Sequence, residues 1–402
     1  MATGKRNPFP SSGVTRPGLE VETLVSLPSQ GGAVERLEEL VRSVITHGTQ
    51  PVKDEFDVEI MKSKPELVML RGEFGSGKTL TLTRLYMDCK QGRIKIKTKE
   101  GKTERKAIVI PIYQPLHALL SNPEDLLDVL QQRLPTETKN EQIRQAILKA
   151  KEKAEQTVIE RDSLLRRIYV CRYSVDAAVR NAADAVVIIL DELEESVDDY
   201  ARFVESYAKI FSILREFTDR QVGPVITVLG ITPRAIDSLV EETKQALLRR
   251  AVTIDLPHLT SRDELFALAK GYDYQVEKYV DSDTFDLIYG LTRGNPGFAL
   301  ASLHWAWEEM QYRNLDRADA QLAQEAVESI AWKGERLRIP SVAFDAEARY
   351  PSARRVLETV KREVAIEIDP ESVLEGVIAS IDSIASIKTP EETYKMLKKE
   401  FG

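Results

Sequence analysis

Apolar residues between positions 67 and 256 follow two alternating patterns. Short, largely apolar runs that are rich in β-branched residues predict strands with both faces covered by protein. The longer stretches between them carry apolar residues three and four positions apart, the spacing of an amphipathic helix. The predicted strands cover residues 67–70, 107–110, 185–190, 225–229 and 252–256. Because strands that alternate with helices form mostly parallel sheets, the pattern predicts an α/β fold.

The rest of the chain has different patterns, and the predicted boundaries divide the whole into four parts. Residues 1–31 are rich in Pro, Gly and Ser, and they form either an extended arm that docks on a neighbour or a partly disordered leader. Residues 32–258 form the α/β domain, and residues 259–333 form a helical part. Residues 334–402 carry mainly helical patterning without a motif that indicates a role.

Two segments interrupt the predicted α/β domain. Residues 92–106 alternate around Glu100-Gly101, which predicts a β-hairpin. Residues 136–180 are a helical insertion, in which apolar spacings of three and four over 138–168 predict one long amphipathic helix with a thin apolar seam. Such a seam favours packing on the domain itself over binding to a partner.

The predicted hairpin is unusually basic for this chain. Residues 93–106 hold seven basic and two acidic residues, whereas the whole chain has a net charge of −8 at pH 7. The lysines are either a solvated edge that keeps the sheet from pairing with other chains, or a contact for a nucleic-acid phosphate backbone. The pI near 5.4 excludes a globally basic nucleic-acid-binding protein and leaves a local patch open.

The most specific chemical signal is Gly-Glu-Phe-Gly-Ser-Gly-Lys-Thr at residues 72–79. An apolar strand precedes it and a helical pattern follows, which is the context of a phosphate-binding loop. Glycines let the backbone turn tightly and direct its N–H groups at phosphate oxygens, and the helix N-terminus adds partial positive charge. An ordinary glycine-rich turn would not need Lys and Thr at its last two positions. The residues predicted to bind nucleotide here are Gly72, Glu73, Phe74, Gly75, Ser76, Gly77, Lys78, Thr79 and Leu80.

Two residues of the loop and two acidic residues have predicted chemical roles. Lys78 reaches the β- and γ-phosphates of a bound nucleotide, and the Thr79 hydroxyl binds Mg²⁺. Asp191 and Glu192 directly follow the run 185–190, and a carboxylate at the C-terminal tip of a parallel strand lies where α/β sheets bind ligands. Asp191 is predicted to hold Mg²⁺ through water, and Glu192 to orient and deprotonate the attacking water. Strands often end in acidic loops, so this pair is informative only together with the phosphate-binding loop.

Length and composition narrow the class of protein further. At 402 residues, the chain is long enough for two or three domains. Its two cysteines support neither a disulfide framework nor a cysteine zinc site, and its four histidines lack metal-ligand spacing. No apolar stretch approaches membrane-spanning length, and the N-terminus lacks a hydrophobic signal core. We therefore expect a cytoplasmic protein that has no membrane partner.

Over residues 33–312, the chain resembles AAA+ ATPases in the order of its parts. These parts are the phosphate-binding loop, the acidic strand, the polar strand end, the arginine pair and the helical part. Within that superfamily, the chain is most similar to the replication-initiator (origin-recognition) branch. The resemblance implies an α/β P-loop NTPase fold, a three-layer sandwich with a mostly parallel sheet, followed by an α-helical lid and a mainly helical C-terminal segment. It further implies that ATP and Mg²⁺ are bound, and that ATP is hydrolysed in a homo-oligomer or with AAA+ partner subunits. The client would be DNA or a DNA-bound protein.

The resemblance also assigns roles to three positions outside the loop and the acidic pair. Thr232 follows the strand at 225–229 and matches the sensor-1 position, which helps to place the attacking water. Arg249 and Arg250 match the arginine-finger segment, in which one subunit inserts a guanidinium into its neighbour's site. Which of the two is the finger stays open. The alternative is a surface arginine pair that stabilises the end of a helix through its dipole.

One turn departs from the family pattern. Gly294-Asn295-Pro296-Gly297 has glycine at its last position, where the family often has arginine, and Arg293 is the nearest substitute. The same turn also resembles the lid of STAND-type signalling ATPases, which hold nucleotide as a switch and turn over slowly. A basic winged helix, usual in the initiator branch, is not evident in residues 335–402, so direct DNA binding stays open.

Three hypotheses about function follow from these patterns. The first is an assembling ATPase, and the second is a STAND-like switch without direct DNA binding. The third is a scaffold subunit that binds ATP structurally. The intact loop lysine and acidic pair argue against the third.

Overall fold

The structure is a computed structural model of the chain. It describes residues 7–9, 26–47, 49–53, 58–63, 66–97, 103–116, 123, 125–157, 163–193, 206, 208–214, 223–237, 239 and 241–332. The chain divides into two compact units. The α/β unit comprises Gly31–Gly72 and Lys78–Leu256, and the helical unit comprises Met1–Gln30, Glu73–Gly77 and Pro257–Gly402. The C-terminal segment predicted at 334–402 lies outside the described residues.

Strands and helices are numbered here in chain order over the described residues. The strands are β1 (Gln50–Lys53), β2 (Glu59–Lys62), β3 (Glu66–Arg71), β4 (Lys95–Lys97), β5 (Glu104–Lys106), β6 (Val109–Pro115), β7 (Ala185–Leu193), β8 (Val225–Ile231) and β9 (Ala251–Asp255). The helices before residue 256 are α1 (Pro28–Thr46), α2 (Lys78–Lys90), α3 (Asp125–Glu137), α4 (Glu141–Thr157), α5 (Ser163–Arg180), α6 (Pro233–Asp237) and α7 (Glu241–Arg250). Residues 208–214 are also helical. The later helices are α8 (Arg262–Tyr272), α9 (Ser282–Thr292), α10 (Pro296–Tyr312) and α11 (Ala320–Trp332), with a 3₁₀ turn at Val276–Lys278.

Five of the strands form one parallel sheet in the order β6-β7-β8-β3-β9. Successive side chains of a strand point to opposite faces, so alternate residues enter different apolar clusters. Met69 and Ile188 pack with residues of α3 and α5 on one face. Val68 and Val187 pack with residues of α1 and α2 on the other. The sheet is therefore the middle of three layers, and the predicted α/β fold with a parallel sheet and following helices is confirmed.

Two antiparallel hairpins stand outside this sheet. β4 and β5 pair within residues 92–106. The hairpin of β1 and β2 was not predicted, because its strands are short and mostly exposed. The Met61 N–H donates to Asp176 of α5 at 2.6 Å, and Arg180 of α5 forms an ion pair with Glu59 at 3.3 Å. Contacts with α5 thus hold a hairpin that has little apolar surface of its own.

The helical insertion consists of two packed helices, and the prediction of one long helix over 138–168 is wrong. α4 ends at Thr157, α5 begins at Ser163, and the two helices lie against each other. The predicted apolar seam is buried in the α/β unit, since Ile143, Ile147 and Ile168 are inaccessible to solvent. The apolar spacing continues through both helices, and residues 158–162 contain neither glycine nor proline to mark a break.

The helical unit is built from α8 to α11, and each of these helices starts with a polar cap. The residues that precede the helices are Ser261, Asp281, Asn295 and Asp319, and each side chain accepts a hydrogen bond from a first-turn N–H. Apolar residues behind the caps, such as Leu265 and Phe298, are buried. Among the helices that the structure describes, none has the length and apolar character needed to cross a membrane.

Part of the predicted N-terminal arm packs on the helical unit. The Asn7 side chain donates to the His304 carbonyl oxygen at 2.9 Å. The His304 ring donates to the Phe9 carbonyl oxygen at 2.7 Å. The Phe9 side chain is buried beside the Tyr272 ring. Residues 7–9 therefore pack within their own chain.

Candidate functional site

The glycine-rich loop has the backbone conformation that its sequence requires. β3 ends at Arg71 and α2 begins at Lys78, so strand, loop and helix follow one another. Gly75 (φ +75°) and Gly77 (φ +98°) lie in the left-handed region, which residues with side chains rarely adopt. The Gly72 N–H donates to the carbonyl oxygen of Ile231 at 3.2 Å, which joins the start of the loop to the end of β8.

Lys78 places a buried positive charge at the start of α2. Its side chain is 4% exposed, and Nζ donates to the Gly72 carbonyl oxygen at 3.0 Å. A buried ammonium needs oxygen partners, because removing a charge from water is costly unless it is compensated. Thr79 and the buried Leu80 follow in the first turn, where helix N–H groups lack partners within the helix. Lysine and helix N-terminus together favour an anion at this position.

Asp191 is a buried carboxylate, and one of its oxygens has no partner within the part of the chain that the structure describes. The residue is 1% exposed, and its Oδ2 accepts a hydrogen bond from the Tyr113 hydroxyl at 2.5 Å. Its Oδ1 is buried and makes no hydrogen bond to any residue that the structure describes. A Cβ added to Gly230 would lie 2.7 Å from that oxygen and 2.7 Å from Leu82 of α2. Glycine at this position therefore lets β8 pass close to the carboxylate and to α2.

Parallel strands bring the predicted site residues of the α/β unit to one edge of the sheet. β3, β8 and β7 are neighbours, so Gly72, Thr232 and Asp191 all lie where these strands end. Thr232 is buried, and its Oγ1 accepts from the Ala235 N–H at 3.2 Å at the start of α6. A hydroxyl that accepts such a bond can still donate its proton. Glu192 follows in β7, and its side chain lies outside what the structure describes.

The oxygen donors at this edge fit a hard divalent cation. The carboxylate Oδ1 of Asp191 and the hydroxyl of Thr79 are ligands of the type that Mg²⁺ takes, and Mg²⁺ usually completes its shell with water and phosphate. Within the described ranges, no three or more His, Cys, Asp and Glu side chains cluster so that they could hold a metal themselves. A cation bound here would therefore take some of its oxygen ligands from the protein and the others from a phosphate and water.

The remaining predicted residues lie at helix ends. Arg249 and Arg250 are exposed in the last turn of α7, whose first turn contains Glu241 and Glu242. Charges in this order stabilise the helix through its dipole, so the position suits a surface pair as well as a finger. Arg293 caps α9 in the left-handed conformation (φ +51°) with an exposed side chain. In each case the residue role stays a prediction.

Acidic neighbours compensate part of the basic hairpin. The two terminal nitrogens of the Arg105 guanidinium donate to the two carboxylate oxygens of Asp184, at 2.7 and 2.5 Å. Arg93 forms an ion pair with the buried Asp88 at 3.2 Å. Two of the seven basic residues thus anchor the hairpin to the α/β unit, which agrees with the structural interpretation for these two. Lys95 and Lys97 are exposed, so the interpretation as a phosphate contact stays open for them.

Cysteine chemistry has no support at this site. Cys89 and Cys171 are both buried and unpaired. Burial raises the pKa of the Cys89 thiol and raises that of Cys171 to about 12. Since the thiolate is the reactive form, neither cysteine is a nucleophile near neutral pH.

Two contributors to the site were missed in the sequence. Tyr113 lies at an alternating position of β6, 78 residues before its partner Asp191, and nothing in the apolar pattern marks it. Asn295 was noticed only as part of the lid turn, although its side chain contacts the loop carbonyl of Phe74. Each contact joins residues that are distant in the sequence and neighbours only in the fold.

No protein-family model matches the chain, and no curated protein does either. Solved structures do match. One is the ORC2 protein of Aeropyrum pernix in ADPNP-ADP complexes, with 14% identity, 93% of this chain and 85% of that chain covered, and a TM-score of 0.46. The ORC1 protein of Aeropyrum pernix in complex with DNA has 16% identity, coverage of 94% and 86%, and a TM-score of 0.41. Cdc6p from Pyrobaculum aerophilum has 13% identity, coverage of 100% and 99%, and a TM-score of 0.42. All three identities are at most 16%, and all three TM-scores are below 0.5.

Proposed function

We propose that the chain is an Mg²⁺-dependent ATPase which binds ATP at the loop 72–79, hydrolyses it between subunits, and remodels or regulates a DNA-associated assembly. The observation that carries the ATPase proposal is the buried carboxylate of Asp191 at the sheet edge where the loop begins, whose Oδ1 has no hydrogen-bond partner among the described residues. A carboxylate with a structural role alone would have both oxygens hydrogen-bonded, because an unpaired buried polar atom is costly.

The groups of the chain divide the work of binding. N–H groups of the loop and of the first turn of α2 donate hydrogen bonds to the phosphate oxygens, and the Lys78 ammonium balances their charge. Thr79 and Asp191 would hold Mg²⁺, which when bound neutralises charge on the β- and γ-phosphate oxygens. Tyr113 keeps the Asp191 carboxylate in one orientation, because it occupies Oδ2 and leaves Oδ1 for a ligand.

Hydrolysis requires three further roles. Glu192 accepts the proton of the attacking water, and the Thr232 hydroxyl donates a hydrogen bond that places this water in line with the terminal phosphate. Arg249 or Arg250 of a neighbouring subunit supplies positive charge to the phosphoryl group in the transition state. The resemblance implies that the base of the bound nucleotide is adenine. The sequence shows no Asn-Lys-x-Asp motif, which would recognise guanine.

Two variants test ATP binding and ATP hydrolysis separately. Lys78→Ala is expected to abolish ATP binding, measured by calorimetry, because the phosphates lose their main point charge. Glu192→Gln is expected to keep binding and stop phosphate release, because an amide cannot accept the proton. Lys90→Ala, at the far end of α2, is the control and should match the wild type. Equal loss of ATP affinity in both site variants would remove Glu192 from catalysis.

A STAND-like switch is the second candidate, and the glycine at position 297 favours it. Without a lid arginine on the phosphates, nucleotide exchange instead of turnover could be the signal. Slow turnover that does not depend on protein concentration, together with tight retention of ADP, would favour the switch over the assembling ATPase.

The DNA-associated client is tested at the exposed lysines of β4. If the hairpin contacts phosphates, replacing Lys95 and Lys97 with alanine should weaken DNA association and reduce its salt dependence by about 0.9 logarithmic units per lost contact. Lys62→Ala on β2 is the control for a change of surface charge. Absence of DNA binding by the wild type at low salt would exclude a direct DNA client.

A further inference from the structure

The middle of the phosphate-binding loop is held by the turn that starts α10. Asn295 is completely buried, and its Oδ1 accepts from the Phe298 N–H at 3.1 Å as the N-cap of α10. Its Nδ2 donates to the Phe74 carbonyl oxygen at 2.7 Å. The Gly297 N–H donates to the Gly75 carbonyl oxygen at 2.8 Å. Both hydrogen-bonding groups of one side chain are thus engaged, one within its own helix and one on the loop.

The middle of the loop and the turn before α10 also pack closely against each other within the helical unit. The Phe74 and Phe298 rings stack with centroids 6.4 Å apart. A Cβ added to Gly75 would lie 2.7 Å from Asn295 Oδ1 and 3.3 Å from the Gly297 Cα. Glycine therefore occupies position 75, because a side chain there would meet the Asn295 amide oxygen and the backbone of Gly297.

Peptide geometry gives this contact a consequence for the loop. In a planar trans peptide, the N–H points away from the C=O of the same unit. With the Phe74 carbonyl turned toward Asn295, the Gly75 N–H points to the opposite side of the loop, and the Ser76 N–H donates to the Glu73 carbonyl oxygen at 3.1 Å and closes the turn. An ordered N–H group on the outer side of such a turn is a donor for an anion.

We propose that Asn295 is a positioning residue for the phosphates of the nucleotide: it fixes the loop in its binding conformation before ligand arrives. The inference rests on the proposed ATP site and deepens it. Asn295 does not touch the ligand. It acts through the Phe74 carbonyl, so that ATP binding does not have to order the loop.

The experiment separates the two hydrogen bonds of Asn295. Asn295→Ser keeps an N-cap oxygen for the Phe298 N–H and is too short to donate to Phe74. Asn295→Asp also keeps the cap and has no N–H to donate. Asp281→Ser changes the equivalent cap of α9, which accepts from the Thr284 N–H of its own helix, and is the matched control. Affinities for ATP and for inorganic tripolyphosphate are measured by calorimetry, and exchange of the loop amides is followed without ligand.

Asn295→Ser should raise the Kd for ATP and for tripolyphosphate by a similar factor, about tenfold or more, since the buried Phe74 carbonyl loses its partner. Amide exchange of residues 73–77 should accelerate, and Asp281→Ser should change neither quantity. A lower unfolding temperature with unchanged Kd and unchanged loop exchange would make Asn295 a helix cap only and overturn the inference. If the wild type itself binds no ATP, the proposed function fails as well, and the wild-type titration identifies this case. If Asn295→Ser does not fold, Asn295→Asp decides by the same criteria.

Discussion

At the residue scale, the candidate site combines side chains that the sequence identifies with others that only the fold brings in. The loop lysine, threonine and acidic pair follow from a motif, because their spacing along the chain is fixed by strand, turn and helix. The supporting contacts follow no such spacing. Tyr113 meets Asp191 because β6 and β7 are paired neighbours in the sheet.

Tyr113→Phe tests the orientation of the Asp191 carboxylate. The change removes the hydroxyl that donates to Oδ2 and retains the ring, so Mg²⁺-dependent ATP affinity should fall about tenfold. ATP affinity without Mg²⁺ should equal that of the wild type. Tyr86→Phe is the control, because its hydroxyl contacts Glu137 and its ring lies beside Tyr113. Equal losses with and without Mg²⁺ would contradict a role through the carboxylate.

These residues differ in how far a local sequence pattern identifies them. The pair of Lys78 and Asp191 could be found because each has a local signature, a glycine-rich loop or a buried strand end. Tyr113 and Asn295 have ordinary signatures, an alternating strand position and a helix cap. Their importance arises from contacts over 78 and 221 residues, which no local pattern encodes.

At the element scale, the strands of the parallel sheet were predictable, and the small additions to it were not. Buried strands such as β7 and β8 are continuous apolar runs, so their pattern is strong. β1 and β2 are four residues each and mostly exposed, and their stability comes from α5. The α4–α5 pair was predicted as one helix because the break has no glycine or proline.

The connection between α9 and α10 depends on one glycine. Gly294 has φ +70°, and a Cβ there would lie far inside van der Waals contact with the Leu259 carbonyl oxygen. Gly294→Ala should therefore destabilise the protein by at least about 2 kcal/mol in urea unfolding. Gly290→Ala in α9 is the matched control, because a Cβ there meets open space. That control should stabilise the helix by about 0.5–1 kcal/mol. A small effect of Gly294→Ala would mean that the turn relaxes without cost.

The start of α8 is expected to be sensitive to acid through Glu264. Burial acts to raise the pKa of this carboxyl, but hydrogen bonds from Thr260 and Ser29 outweigh it and hold the pKa below its ordinary value. A lowered folded-state pKa means that the stabilisation is complete above pH 4.5 and is lost as pH falls through the folded-state value. The stability difference between wild type and Glu264→Gln should therefore shrink as the pH falls below about 4.5 in urea titrations. The exposed Glu277→Gln is the control, and a difference that is independent of pH would contradict the prediction.

At the scale of the whole molecule, the loop residues Glu73–Gly77 belong to the helical unit, while the strand before them and the helix after them belong to the α/β unit. Positive charge is concentrated in particular segments of the chain. A chain with a net charge of −8 carries a basic hairpin and an arginine pair as separate features, and composition alone predicts neither. The hairpin is tested with DNA, and the arginine pair is tested with a second copy of the chain.

The arginine pair decides whether the active site needs two chains. If Arg249 or Arg250 completes a neighbour's site, ATP turnover per chain must rise with protein concentration. Alanine at the finger should leave ATP binding nearly intact and reduce turnover by about 10³- to 10⁵-fold, as arginine fingers do in phosphoryl transfer. Arg36→Ala, an exposed arginine of α1, is the control and should change neither quantity.

Mixing variants gives the sharper form of this test. The finger variant retains an intact loop, and Lys78→Ala retains an intact finger, so a mixed interface can combine both functional halves. Partial recovery of turnover in the mixture is therefore expected, although each variant alone is inactive. A surface pair at the end of α7 would instead contribute at most about 1 kcal/mol to stability through the helix dipole, and its loss would leave turnover unchanged. Turnover that is independent of concentration, with no recovery in the mixture, would mean that each chain acts alone, because a shared interface would require both effects.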